Sequence, residues 1–310
     1  MSDKVAEQLA MGGQAVIEGV MMRGPERLAI AVRKKDGIIA LKSEPFQSIV
    51  KRNRWLNIPI FRGAIILIET LFLGTRALSF SGDVAMSEEE KEKTRHRANR
   101  WNGVRMAFTI VFAMVLGIAF FFYLPLLLTG LLGIRSGVWF NLVDGLIRLM
   151  LFLLYIWGIS MWKEIQRVFE YHGAEHKSIY AYENKRELVA ESARPYSTLH
   201  PRCGTSFLLI VMLVSVVVFM FLGRPNTVSE RLIRIAFVPV IGGISYELIK
   251  LSGKAAHYKF LRFVLQPGLW LQKITTSEPD EPQLEVAMVA LRSALGQEPV
   301  AGPSKIELVS

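Results

Sequence analysis

The chain has 310 residues, 51% of them hydrophobic, with a mean hydropathy of +0.32, and its apolar residues gather in long runs. That distribution excludes an ordinary soluble domain and points to membrane spans. A single cysteine excludes an intrachain disulfide, and the net charge of +10 reads first as the positive-inside bias of a membrane protein. Anionic lipid headgroups, rather than nucleic acid, are therefore the expected charged partners.

The first residues, Met1-Ser2-Asp3-Lys4-Val5-Ala6-Glu7, lack the basic-then-apolar pattern of a signal peptide, so the N-terminus is expected to stay untranslocated. Residues 1–57 form a β-rich region. Gly12 through Pro25 reads as a glycine-punctuated strand bounded by turns. Leu28–Arg33 and Gly37–Lys42 flank Lys34-Lys35-Asp36-Gly37, and Asp-Gly between apolar runs predicts a hairpin. Residues 58–103 predict an apolar helix and then a charged linker. Arg62, Glu69 and Arg76 recur at seven-residue spacing and share one helix face, which predicts an interfacial or re-entrant helix rather than a free span. Glu69 in such a run needs a partner or a polar cavity. His96, in the linker, reads as solvated.

Four spans follow, at about 104–132, 137–162, Ser206 to Leu222 and Leu232 to Leu251. Lys and Arg concentrate before the first, in the loop at 163–205 and after the fourth, while the turns at 133–136 and 223–231 carry fewer. Both termini and the 163–205 loop are thereby expected on the cytoplasmic side of a multi-pass protein. Residues 256–277 read as an amphipathic segment at the membrane surface, ended by Pro267-Gly268. Residues 278–310 read as a linker, a short peripheral helix and a disordered end. The fold class is a mainly α membrane protein, with about four transmembrane helices spanning 104–255 and a small cytoplasmic N-terminal β-hairpin region.

The chemistry concentrates in the 163–205 loop. His172-Gly173-Ala174-Glu175-His176 places two imidazoles four residues apart, on one face of a helix that is expected to continue from the second span. The pattern H-x-x-E-H is the inverted zincin motif, in which a downstream carboxylate is the third ligand. Glu247, in the fourth span, is one candidate. His200 and Cys203 offer another set, with Cys203 at the start of the next helix, where the dipole favours a thiolate. His172, His176, His200 and Cys203 together would make a closed tetrahedral zinc site. With three of them, a fourth position stays open and Glu175 is the candidate general base. Two readings without a metal are Cys203 as nucleophile with His200 as base, and interfacial histidines satisfied by backbone or headgroups. His257 follows the fourth span among basic residues and fits headgroup contact.

Gly12-Gly13-Gln14-Ala15-Val16-Ile17-Glu18-Gly19-Val20-Met21-Met22-Arg23-Gly24, Phe61-Arg62-Gly63, His172 through Lys177 and His200-Pro201-Arg202-Cys203-Gly204-Thr205-Ser206 resemble the YqhQ-like bacterial membrane proteins. The resemblance covers roughly residues 10–275. It implies a bacterial inner-membrane protein, in a family classed as a domain of unknown function and predicted to be a metal-dependent enzyme, with a suspected metal site at His172, His176, His200 and Cys203. Residues and resemblance together lead to the expectation of a cytosol-facing zinc site and metal-assisted hydrolysis of a membrane-associated peptide or lipid-linked substrate. The alternative is a membrane scaffold or regulator whose metal is structural.

Overall fold

The computed structural model describes residues 11–86, 101–254, 259–300 and 302–309. His96 and His257 lie outside them. Four strands, β1 (Gly12–Val16), β2 (Gly19–Arg23), β3 (Arg27–Arg33) and β4 (Ile39–Pro45), form an antiparallel meander. A fifth strand, β5 (Ile306–Leu308), joins β4 in parallel, with Ile39 opposite Ile306 and Leu41 opposite Leu308. Between β4 and β5 lie the helices α1 (Ile49–Arg52), α2 (Phe61–Ala85), α3 (Trp101–Ile118), α4 (Leu124–Leu131), α5 (Gly137–Ile159), α6 (Lys163–Glu183), α7 (Ala190–Ala193), α8 (Gly204–Leu222), α9 (Val228–Ala236), α10 (Val238–Lys254), α11 (Lys259–Thr275) and α12 (Glu281–Ala294). A single-turn π-helix, Ala119–Tyr123, joins α3 to α4.

Among the described residues five helical stretches are long and apolar enough to cross a membrane: Phe61–Ala85, Val111–Leu131, Gly137–Ile159, Gly204–Leu222 and Val228–Leu251. The chain is a mainly helical, multi-pass membrane protein with a small sheet. The sequence reading gave about four spans. The additional stretch is α2, the helix expected to be interfacial or re-entrant, which is unbroken and by length and composition could also cross.

The sheet is buried on both faces because side chains alternate along each strand. Leu28, Ile30 and Val32 of β3 pack with Val16 and Met21 against Leu73 and Ala77 of α2. Ala29 and Ala31 of β3 pack with Val20, Met22, Ile39 and Leu41 against Tyr171 and Ala174 of α6 and the run Leu284–Leu291 of α12. Each large side chain so buried contributes about 1.5–3 kcal/mol. This explains why β3 reads as an apolar run instead of a clean alternation.

Four local expectations change. Gly12 to Pro25 is two strands, because the chain reverses at Ile17-Glu18, where Glu18 takes a left-handed φ of 51°. The helix of the second span does not run on to the histidines. It stops at Ile159, and α6 starts afresh after an extended Trp162, free to pack on β1 and α12. Pro267-Gly268 does not end α11, which continues to Thr275. The helix at 281–294 is not peripheral: Val286, Ala287, Val289, Ala290 and Leu291 are wholly buried between sheet and α6, and residues 306–308 are a strand.

Candidate metal centre

On α6, the step of four residues brings His172 and His176 side by side, with ring centroids 4.5 Å apart. Cys203 is the N-cap of α8, its sulfur accepting from the Thr205 N–H at 3.4 Å. One ligand atom from each of His172, His176 and Cys203 can be chosen so that all three lie within 4.8 Å of one another. The His172 Nε2 to Cys203 Sγ distance is 3.2 Å.

What orients the imidazoles is backbone. His172 Nδ1 lies 2.8 Å from the Thr275 carbonyl at the end of α11, and His176 Nδ1 lies against the Thr198 carbonyl. A carbonyl can only accept, so both Nδ1 atoms carry the proton. The Nε2 atoms are left with lone pairs, and His172 Nε2 faces the sulfur. Histidines that ligate metals are held in this way, by an outer partner that fixes tautomer and ring angle. Nothing in the local sequence around His172 announces Thr275 or Thr198.

Glu175 is buried at the edge of the trio, with Oε2 4.0 Å from His172 Nε2. The Gly13 N–H of β1 donates to its carboxyl. A side chain at residue 13 would meet Glu175 Cγ at 2.7 Å, so this contact requires glycine. The same closeness recurs at Gly173, where a Cβ would sit 2.0 Å from the Ser277 carbonyl. Burial pushes the Glu175 carboxyl above its ordinary range, with the neighbouring His172 and His200 opposing. Burial lowers His176 below the usual imidazole value, which favours its neutral, ligating form.

His200 takes a different part. Its Nδ1 accepts from the Arg202 N–H at 3.3 Å, so Nε2 is the donor, 3.5 Å from Glu183. The ring packs edge-on against Tyr180, with centroids 4.6 Å apart. Both nitrogens are thus engaged outside the trio, and burial lowers the imidazole to about 4. The structure does not bring Glu247 to the trio either. It forms a two-pronged ion pair with Arg62 of α2, through Arg62 Nε at 2.6 Å and through Nη2. A carboxylate in an apolar helix needs a partner, and here a guanidinium from the neighbouring helix supplies it.

Gln272 went unnoticed in the sequence. It is fully buried, accepts from the His200 N–H at 2.8 Å, and donates to the His200 carbonyl and to Ser206 Oγ, each at 2.8 Å. It clamps both sides of the turn that delivers Cys203. Lys177, also buried, ties α6 to the Arg194 carbonyl at 2.9 Å and to Glu278.

A family model described as a protein of unknown function (DUF1385) matches residues 58–297, and so reaches through α12. The uncharacterized protein YqhQ of Bacillus subtilis (strain 168) is 34% identical over 293 residues, covering 92% of each chain. No solved structure matches the chain.

Proposed function

The chain belongs to the DUF1385 family, and for this membrane protein we propose a zinc-type cation held by His172, His176 and Cys203, with Glu175 beside a fourth, open position. One observation carries the reading. Both imidazoles donate Nδ1–H to backbone carbonyls, and so turn lone pairs toward a thiol within ligand-sharing distance. Two nitrogens and a sulfur suit zinc, and a three-residue set is the catalytic pattern rather than the closed structural one.

The reaction proposed is hydrolysis of a membrane-associated peptide or lipid-linked ester, at a site facing the cytoplasm of a bacterial inner membrane. When bound, the cation would polarise a carbonyl and make water more acidic. His172, His176 and Cys203 hold and orient it. Glu175 takes the proton from the attacking water at Oε2 and returns it to the leaving group. A nearby positive charge would draw the raised Glu175 carboxyl back into the range of a base. The buried surroundings exclude competing solvent.

Glu175 also favours a second reading. Its bond from Gly13 N–H ties β1 to the site, while the Thr198 and Thr275 carbonyls tie the loop and α11 to it. A cation there would pin three segments together, as a scaffold or regulator needs.

Elemental mass spectrometry of detergent-purified protein tests both readings. About one zinc per chain, lost in a His172→Ala/His176→Ala double variant, is the expected result. Equal metal in the two proteins ends both readings. Glu175→Gln then separates them: retained metal with abolished turnover of ester or peptide substrates supports hydrolysis. Retained metal with unchanged function and stability supports the pin.

A further inference from the structure

Three parts of the chain form one body. The strands at 12–45 hold β5 in their sheet and α12 on their face. Glu18, at the β1–β2 turn, forms a bidentate pair with Arg167 of α6, both bonds 2.5 Å, and Gly13 bonds Glu175 of the same helix. Residues 12–45, 163–183 and 281–308 therefore lie on one side of the membrane. The number of crossings between any two of them must be even. Among the described residues there are two candidate spans between 183 and 281, which satisfies the condition. Between 45 and 163 there are three, Phe61–Ala85, Val111–Leu131 and Gly137–Ile159, which does not.

Contacts identify the one that stays behind. The latter two are joined by a tight turn at 132–136 and pack on each other as a hairpin. From Glu69 onward α2, by contrast, is bonded to the sheet's side, while its first turns pack on α10. Glu69 accepts from Arg23 at 3.3 Å, Ser48 Oγ at 2.8 Å and the Ile49 N–H at 2.9 Å. Arg76 forms a bidentate pair with Glu44 of β4 at 2.8 and 2.9 Å, and Ser81 Oγ accepts from the Ile17 N–H. The stripe of Arg62, Glu69 and Arg76 is thus matched, charge by charge, to α10, β2 and β4.

We propose that α2 lies along the membrane on the side of the sheet and the candidate metal centre, without crossing, and that its free face is seated in the lipid of that leaflet. Ile68, Leu71, Phe72 and Leu78, at steps of three, four and seven residues, are 63, 61, 69 and 47% exposed, opposite the buried Glu69, Leu73 and Ala77. Trp55, 86% exposed, and Phe61, 68% exposed, extend the strip toward the basic Lys51 and Arg52, the arrangement expected at a headgroup boundary. The strip is continuous with the bundle, because Gly63 of α2 lies against Gly243 of α10 and Arg62 pairs with Glu247. Lipid that bathes α10 there also bathes α2.

Membrane-impermeant maleimide labelling of single cysteines, with the native protein as blank for the buried Cys203, tests the crossing. Asn57→Cys precedes α2 and Asp83→Cys lies in its last turn, Glu187→Cys marks the site loop and Ser229→Cys the start of α9 beside the opposite turn. The expected result is that the first three label from one side and Ser229→Cys from the other, each by about tenfold or more. Opposite-side labelling of Asn57→Cys and Asp83→Cys overturns the proposal. A spin label at Phe72→Cys, repeated at Ile68→Cys in case one variant fails to fold, tests the lipid contact in phosphatidylethanolamine–phosphatidylglycerol vesicles. Broadening by oxygen and protection from a water-soluble nickel chelate are expected. Aqueous-type broadening, or dipolar broadening from a second copy, overturns it.

Discussion

At the turn end of the bundle, Asp144 accepts from Arg148 at 2.9 Å. Arg234 donates to Asn141 Oδ1 at 2.7 Å and to the Gly223 carbonyl at 2.5 Å, and the Arg148 and Arg234 guanidiniums both lie over Phe219. At the loop end, His172 and His176 send their protons outward to the Thr275 and Thr198 carbonyls, while their remaining nitrogens stay on the side of Cys203. Both sets are polar groups taken out of water. The first links helices through one carboxylate between two guanidiniums, though Asp144 Oδ1, Arg148 Nε and Arg234 Nη1 stay buried without a hydrogen-bond partner among the described residues. The second turns two imidazole lone pairs and a thiol toward one another, groups that a proton or a metal between them would satisfy.

If that contrast holds, variants at the two ends should fail differently. Asp144→Asn leaves Arg148 and Arg234 without a counter-charge and should cost about 3 kcal/mol or more, read as a lower thermal midpoint in detergent, with metal content unchanged. Loss of metal in this variant would erase the distinction. Gln272→Leu strands the His200 N–H and carbonyl in a dry turn. It should cost about 2 kcal/mol and weaken zinc binding about 10–100-fold in a competition titration with a chelator. Unchanged affinity would mean that Cys203 needs no clamp.

Gly13→Ala drives a methyl into Glu175 and should cost about 1–2 kcal/mol, with catalysis lost and metal kept, measured as turnover per bound ion. The smallest effect concerns neither end. Burial of Glu285 pushes its carboxyl up, but hydrogen bonds from Ser304 and Arg33 outweigh it, and the group sits below its ordinary 4.5. A depressed carboxyl stabilises the fold above its unfolded value and ceases to do so as pH falls through the folded one. The protection factor for hydrogen exchange at Ile306–Leu308, after division by the intrinsic rate at each pH, should therefore fall only below about pH 4.5, by a factor corresponding to less than about 1 kcal/mol.

Some of this was legible in the residues themselves. Asp36-Gly37 between apolar runs marks the β3–β4 hairpin, and the spacing of His172 and His176 fixes their shared face, since both depend on near neighbours alone. The β1–β2 reversal escaped because the left-handed residue is Glu18, not a glycine. The burial of α12 escaped because its apolar pattern would serve equally for a surface helix, and the strands and the helix α6 that cover it are far away in sequence. Choosing Cys203 over His200 depends on Gln272, Glu183 and Arg202, which turn His200 aside, and choosing against Glu247 depends on Arg62. No spacing rule carries those pairings.

The sheet that carries β5 has a consequence for how the protein is made. During translation β1 to β4 leave the ribosome first, with the edge of β4 open and one face bare until α12 and β5 arrive. Every membrane insertion takes place in that interval. An open edge and a bare apolar face invite aggregation, so a chain cut short before α12 is expected to be less stable and more readily proteolysed than the full one.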